Sequence, residues 1–475
     1  MQFKYDWIPG LSESIPKDVN SDRITPYTVA LEGWRRGLSL KYCTTKSRGQ
    51  IFIQFILSNG SKTLKFSKST GPDVTREAVN ICKNKLLTKK YLEKADIPVP
   101  KGKAFITPIN FDELLKYAEI LGYPVVIKPI SAKMGKGVIP EIKNEEELIK
   151  AFNYVTNELG YSEIIVEKHV FGEEYRVYVV KDKVIGAIKR IPAYVIGDGV
   201  SSIKDLIEIK NKERKQIPSL RSRPIKIDTE VKEYVSQAGY TLDSILDKNE
   251  YLVLRKNSNV SSGGEPIDVT DELSENIKRI AVNACRAIPG LPISGVDIVV
   301  DKINNTCSVL ELNTGPGISS HLFPLKGKAR DIPKAIIDYY FPETSSQKNP
   351  ISNRFYFDYS KIENKLLSHS LKEIKLPMVP QGEIIFKAFI VSGKVQGVNY
   401  RQWIRRQAFN LDLNGFAENK KDGSVFIVVS GNKKNIEEFE KIIYNKGSKH
   451  AKIENISVVN WDNPINIGFV IKKEI

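Results

Sequence analysis

Two apolar runs close together in the chain, Ile293–Asp301 (ISGVDIVVD) and Ser308–Asn313 (SVLELN), read as strands joined by the turn Lys302–Asn305; the second continues into TGPGISSH, ending at His321. Asp297, Glu311 and Asn313 stand out as their polar interruptions. Side chains alternate faces along a strand, so Glu311 and Asn313 point the same way. Pairing Asp297 opposite Glu311 would bring the oxygens of all three onto one face, and a one-residue slip would send Asp297 to the other. Carboxylate and amide oxygens converging without His or Cys suit a hard cation, and magnesium bridging to phosphates is the usual form of such a site. The competing reading is a hairpin with a solvated polar face.

At 475 residues the chain exceeds one ordinary core, so about two to four domains are expected. An apolar fraction of 41% with 27% charged residues is that of a globular protein soluble in water. The start MQFKYDWIPG has no basic stretch followed by an apolar one, and no later run is long enough to span a bilayer. A cytoplasmic location with no membrane partner is the expectation. Cys43, Cys82, Cys285 and Cys307 show no Cys-x-x-Cys spacing, and His169, His321, His369 and His450 are equally scattered, which argues for free thiols and against a zinc site. The net charge of +16 raises nucleic acid as a partner, but Lys and Arg are spread along the chain, often beside acids as in Lys143–Lys150 (KNEEELIK). A solvated basic surface whose pockets meet phosphates or acidic substrates accounts for that better than a nucleic-acid footprint.

Taken in order, residues up to about Thr75 make an α/β segment with a hairpin turn at Asn59-Gly60. Asp73 is placed to cap a long helix reaching Lys94, with Val79, Cys82, Leu86, Leu87 and Leu92 at helical spacing. The strand Pro124–Pro129 (PVVIKP) ends near Lys128, and Ser131–Val138 (SAKMGKGV) follows it. That stretch reads either as a flexible loop covering phosphates or as a surface turn. Further on come the strands Ile164–Glu167 and Gly172–Val180, a basic helix to about Lys215, and a strand with a Ser/Asn/Gly-rich loop over Tyr251–Asp268. From Glu383 the order strand, helix, strand, strand, helix, strand is that of a ferredoxin-like split β-α-β domain.

Eight stretches occur in order between about Asn80 and Pro342: NKLLTKKYLEKADIPVP, PVVIKP, SAKMGKGV, VEKHVFGEEYRV, IGDGVSSIKDLI, LRKNSNVSSGG, SGVDIV and ELNTGPG. Together they resemble the ATP-grasp superfamily, most closely the ATP-grasp modules of cyanophycin synthetase and of bifunctional glutathione synthetases. The resemblance implies an α+β fold in which two α+β subdomains sandwich ATP. Lys85 and Lys128 would contact phosphates, and the loop containing Lys133, Gly135 and Gly137 would close over them. Glu167, Lys168 and Val170 would form the hinge at adenine, and Glu174 would take the ribose hydroxyls. Asp297, Glu311 and Asn313 would hold Mg²⁺, or Mn²⁺ in its place. D-alanine–D-alanine ligases of the same superfamily carry an arginine two residues before the first metal carboxylate, where this chain has Gly295. Arg255 is the candidate to meet charge on the tetrahedral intermediate instead. His321, just past Gly315-Pro316-Gly317, would orient the acceptor substrate together with Gly315.

VSGKVQGVNYR (Val391–Arg401) and GFAENKKDGSV (Gly415–Val425) resemble acylphosphatase over nearly the whole C-terminal domain. That resemblance implies a phosphate cradle made by Gln396, Gly397, Val398, Asn399 and Tyr400, with Arg401 clamping the phosphate and Asn419 positioning the attacking water. The expected division is an N-terminal α/β segment at 1–79, an ATP-grasp domain at 80–342, a linker with a short helix at 343–380, and a ferredoxin-like βαββαβ acylphosphatase domain at 381–475. The implied activity is an ATP-dependent ligase joining a carboxylate to an amine through an acyl phosphate, on amino acid or peptide substrates, with a fused acyl phosphate hydrolase. Two other classes stay open at this point. One is an acyl or carbamoyl phosphate hydrolase with a regulatory ATP-binding module, the other a basic polyanion-binding protein. Oligomeric state has no sequence signal.

Overall fold

The structure is a computed structural model that describes residues 5–47, 49–106, 109–131, 136–346, 351–445 and 449–472. The chain folds into two compact units, one made of 69–335 with the N-terminal piece ending at Asp6, the other of 7–68 with 336–475. Among the described residues no helix is long and apolar enough to cross a membrane.

The first unit is built around a five-stranded sheet in the order Glu265–Asp268, Lys183–Ile191, Glu173–Val180, Ile293–Asp301, Thr306–Asn313. The helix Glu275–Arg286 lays Ile277, Ala281, Val282 and Cys285 onto one face of it, joined there by Ala78, Ile81 and Leu92. Fully burying one such aliphatic side chain stabilises the fold by about 1.5–3 kcal/mol. The long helix expected over 73–94 is in fact two, Arg76–Lys83 and Lys85–Lys94. Asn84 takes an extended conformation and its side chain accepts from the Leu87 N–H, so it ends the first helix by capping the second. Thr75, not Asp73, caps the first. The consequence is that Lys85 stands at the very start of a helix rather than on an exposed mid-helix turn.

A second sheet in this unit runs in the order Gly102–Ile106, Glu163–Lys168, Val125–Pro129, Ile139–Ile142, with the helices Phe111–Leu121 and Glu145–Asn153 supplying Leu114, Ala118, Leu148 and Ala151 to its core. A third, smaller core lies under the two-stranded pair Tyr194–Ile196 and Tyr251–Val253, closed by the helices Ile203–Gln216 and Thr229–Gln237. The second of these helices buries Val231 and Val235, four residues apart on one face. Asp228 starts it by accepting from the Val231 N–H.

In the second unit, Ser39–Ser47, Gln50–Ser58 and Thr63–Phe66 form a sheet that takes Glu373–Lys375 as its fourth strand. The helix Ile24–Arg35 is anchored there by Trp34, whose indole donates to Pro377 O at 2.8 Å. The C-terminal sheet has the order Lys452–Val459, Ile384–Lys394, Val425–Asn432, Asn414–Asn419, Phe469–Ile471, with the helices Tyr400–Asn410 and Lys433–Asn445 contributing Ile404, Ala408, Ile436, Phe439 and Ile443 to one core. The edge strand Phe469–Ile471, which runs parallel to Asn414–Asn419, extends the ferredoxin-like order by one.

Candidate functional site

Strand parity decides which side chains leave the helix-covered core of the first unit. Tyr175, Val177 and Val179 pack inward on one strand and Val296, Ile298 and Val300 on the next, so Arg176 and Asp297 share the opposite face. The last strand reaches that face only through an irregularity. Its register pairs Ile298 with Val309 and then Asp297 with Glu311, leaving Leu310 as an extra residue. The bulge switches the inward residues from Cys307 and Val309 to Leu312, and thereby turns Glu311 and Asn313 outward. Without it, Glu311 would point into the apolar core.

Four neighbouring strands thus present Arg190, Arg176, Asp297 and Glu311 as a row of charges. Arg176 donates to Asp297 from Nε to Oδ1 at 2.7 Å and from Nη2 to Oδ2 at 2.6 Å, and Arg190 Nη2 reaches Oδ1 at 3.1 Å. Asn313 Nδ2 lies 3.1 Å from Glu311 Oε1 and 3.3 Å from Asp297 Oδ2. Burial acts to raise the Asp297 pKa, but the charges of Arg176 and then Arg190 override it and hold the carboxyl well below the usual carboxylate range. Glu311 moves the other way, pushed up by burial first and by the like charge of Asp297 second. Among the described residues no three His, Cys, Asp or Glu side chains gather to hold a metal. The set here is two crowded carboxylates and one amide. That oxygen-only donor set, with its like-charge repulsion, fits magnesium, which takes one or two carboxylates and keeps several waters.

Lys85 ties this row to the second sheet. Burial pulls its ammonium below the ordinary lysine range; Glu311 opposes that shift, Lys128 adds to it and Glu167 opposes it. Glu167 is buried and pairs through Oε2 with Lys128 at 2.5 Å and through Oε1 with Lys89 at 3.4 Å. Lys89 also donates to Pro100 O. It lies four residues after Lys85, one helical turn on, and that spacing was the sequence signal for it. Lys168 turns its ammonium to the carbonyls of Gly122 and Tyr123 at 2.8 and 3.0 Å, and Val170 is half-buried just beyond the strand. Glu174 accepts from Ser258 Oγ at 2.6 Å, which links the strand to the Ser/Asn/Gly-rich loop. Gly137 has φ +72°, and a Cβ there would lie 2.9 Å from Pro129 Cγ, so the loop turns where only glycine fits. Lys133 and Gly135 lie outside the described residues.

Ser69 and Thr70 hydroxyls donate to Pro316 O and Thr314 O at 3.0 and 2.9 Å and so pin the turn containing Gly315. A Cβ on Gly315 would lie 2.9 Å from Thr70 Oγ1. His321 is 1% exposed, sits edge-on to Tyr178 at 5.7 Å, and neither ring nitrogen has a hydrogen-bond partner among the described residues. Burial, helped by the charge of Arg176, depresses its pKa to about 3. Arg255 is also buried, but its guanidinium is engaged by Glu230 at 2.5 Å, Asp228 at 2.6 Å and Lys226 O at 2.9 Å. The arginines at the carboxylates are Arg176 and Arg190. Alternation from Glu174 along the same strand was enough to place Arg176 on that face.

The C-terminal domain holds a separate arrangement. After the strand Ile384–Lys394 the chain turns through Gly397 (φ +73°) and Asn399 (φ +57°) into the helix Tyr400–Asn410, which starts without a side-chain cap. Uncapped first-turn N–H groups at a helix N-terminus form an anion cradle. Gln396 Nε2 fastens the turn to Lys420 O at 2.8 Å and Ser424 O at 2.7 Å, while Val398 and Tyr400 pack against the core beneath it. Arg401 Nη1 donates to Lys472 O at 3.1 Å. Asn419 Oδ1 is buried and accepts no hydrogen bond from the described residues.

A RimK-like ATP-grasp domain model matches residues 82–195, and an acylphosphatase model matches residues 387–471. Cyanophycin synthetase of Crocosphaera subtropica is 34% identical over 284 residues, 58% of this chain and 32% of that protein. The glutathione biosynthesis bifunctional protein GshAB of Clostridium perfringens is 35% identical over 325 residues, 66% of this chain and 40% of that protein. The crystal structure of acylphosphatase from Bacillus subtilis is 29% identical and covers 19% of this chain and 99% of its own, with a TM-score of 0.18. The chain spans about a third of the length of the curated relatives it matches. It carries a RimK-like ATP-grasp domain and, toward its C-terminal end, an acylphosphatase domain.

Proposed function

We propose that this protein is an ATP-dependent carboxylate–amine ligase that works through an acyl phosphate and is fused to a hydrolase for acyl phosphates. The observation that carries the reading is that two sheets of one unit each present paired charges, Asp297 with Arg176 at 2.6 Å on one and Glu167 with Lys128 at 2.5 Å on the other, while the helix starting at Lys85 is fastened beside the second by its N–H donating to Ile130 O at 3.2 Å. Such a setting neutralises a polyphosphate at one end and a transferring phosphoryl group at the other.

In this reading Lys85 and Lys128 bind phosphates, Glu167, Lys168 and Val170 line adenine, and Glu174 takes the ribose. Asp297, Glu311 and Asn313 would hold magnesium, and the ion would neutralise charge on the phosphates. A substrate carboxylate oxygen bonds to the γ-phosphorus as the bond to ADP breaks. The amine nitrogen then bonds to the acyl carbon, phosphate leaves, and the nitrogen's proton passes to solvent. Arg176, with Arg190 beside it, supplies the positive charge that Gly295 cannot, and Arg255 orders the Asp228–Glu230 region around the nucleotide. His321 and Gly315 shape the acceptor side. The substrates are a small carboxylate and a small amine of amino acid or peptide type.

The C-terminal domain consumes the same chemical species. Gln396 to Tyr400 and Arg401 hold the phosphate, and Asn419 orients a water whose oxygen bonds to phosphorus as the acyl oxygen leaves, giving carboxylate and inorganic phosphate. Its role is to clear stalled acyl phosphate. Asp297→Asn should abolish ADP release while sparing benzoyl phosphate hydrolysis, and Arg401→Ala should do the reverse. Loss of both activities from either variant, in a folded protein, would overturn this division of labour.

A further inference from the structure

Arg401 belongs to more than the cradle. It also lines an open cleft of about 600 Å³ with Lys361, Gln402, Arg405, Lys472 and the strand Phe469–Ile471. The cleft lies wholly within the second unit. Arg401 and Arg405 stand one helical turn apart on Tyr400–Asn410, a like-charge spacing that costs helix stability by itself. Arg405 has no acidic partner among the described residues. Among the described residues Lys361 reaches only the cap of its own helix, Asp358, at 2.7 Å. Lys472 has its ammonium over the Phe416 ring at 3.3 Å, and burial pulls its pKa down; Glu418 nearby is itself taken by Lys420. No acid lines the cleft among the described residues, and its wall is the apolar strand Phe469–Ile471.

Four cations around an apolar wall, beginning at the residue assigned to the phosphate, describe a ligand with a second negative charge set beyond an apolar spacer. We propose that this cleft selects acyl phosphates whose acyl group carries a further carboxylate, with the phosphate at Arg401, the spacer along Phe469–Ile471, and the carboxylate on Arg405 and Lys361. This rests on the acyl phosphate hydrolase reading of the domain and deepens it by naming the substrate class. Arg405 and Lys361 are then specificity residues that leave the reacting bond to Arg401 and Asn419.

The test compares benzoyl phosphate with 4-carboxybenzoyl phosphate on the full chain. The expected kcat/KM is about tenfold higher for the carboxylated substrate, the lower end of what a hydrogen bond to a charged group contributes. In an Arg405→Gln, Lys361→Gln double variant the ratio should fall to within about twofold of one, and Arg405→Lys should restore part of it. A ratio at or below one in the parent, or a preference unchanged in the double variant, overturns the inference while leaving hydrolysis itself intact. Hydrolysis of neither substrate overturns the underlying hydrolase reading, and the inference with it.

Discussion

Arg176 grips Asp297 at two points, Nε to Oδ1 at 2.7 Å and Nη2 to Oδ2 at 2.6 Å, across neighbouring strands whose register sets the two residues opposite each other. Removing one partner of a buried pair costs about 3–5 kcal/mol because the other charge is left without compensation, while removing both costs less. Arg176 is itself only part-buried and Arg190 remains within reach of Asp297, so the single Arg176→Gln change should fall below that range. A double-mutant cycle with Asp297→Asn, read by urea unfolding, should return a coupling above about 1 kcal/mol. Additive losses would mean that the pair is incidental to the fold.

Gly295 offers a sharper test, because a neighbouring turn closes directly over it. A Cβ at this position would lie 2.7 Å from Pro316 Cβ and 3.6 Å from Arg176 Cδ. The proline belongs to a turn pinned by Ser69 and Thr70, so it has little room to yield. Gly295→Ala should lower stability by about 2 kcal/mol through overpacking, and Gly295→Arg should do worse. ADP release should fall in both. A gain from Gly295→Arg would show that the site lacks a guanidinium that Arg176 does not replace.

Much of this was legible in the chain for a definite reason. The hairpin itself follows from two apolar runs and a short turn, and the turn through Gly397 and Asn399 follows from residues that tolerate left-handed backbone. What stayed hidden depends on contacts between distant segments. The break at Asn84 turns on one side chain choosing to cap the next helix, which periodicity over 73–94 does not reveal. The bulge at Leu310 is an extra residue in an apolar run that looks regular. The strand Glu373–Lys375 reads as part of a linker because its partners, Lys41 to Cys43, lie more than three hundred residues earlier. Arg176 and Lys89 carry no motif; only folding shows which carboxylate each one meets.

Glu167 is the carboxylate between two buried lysines. Glu167→Gln leaves Lys128 and Lys89 without their counter-charge, and stability of the ATP-free protein should drop by about 3 kcal/mol. Saturating ATP should narrow the gap between variant and parent, since polyphosphate supplies negative charge to Lys128. Thermal unfolding with and without the nucleotide checks this. A gap that ATP leaves untouched would place Lys128 away from the phosphates.

Glu311 and His321 titrate with opposite consequences. The folded pKa of Glu311 is raised, so the native state holds its proton longer than the unfolded chain does. Its contribution is therefore full below the unfolded value of about 4.3 and is lost as pH rises through the folded one. His321 is depressed to about 3, so the unfolded chain takes the proton first. Its contribution is full above about 6.5 and is lost as pH falls through that value toward the folded one. From about 4.3 up to the raised folded pKa of Glu311 the two slopes oppose each other, each limited to about 1.4 kcal/mol per pH unit. In buffer with EDTA, Glu311→Gln should make stability climb more steeply with pH across that interval, and His321→Leu should tilt the same curve downward. Urea midpoints at pH 5 and pH 6, with circular dichroism to confirm the native fold, give both slopes. Curves parallel to the parent in both variants would mean that neither side chain is buried in the native protein as described.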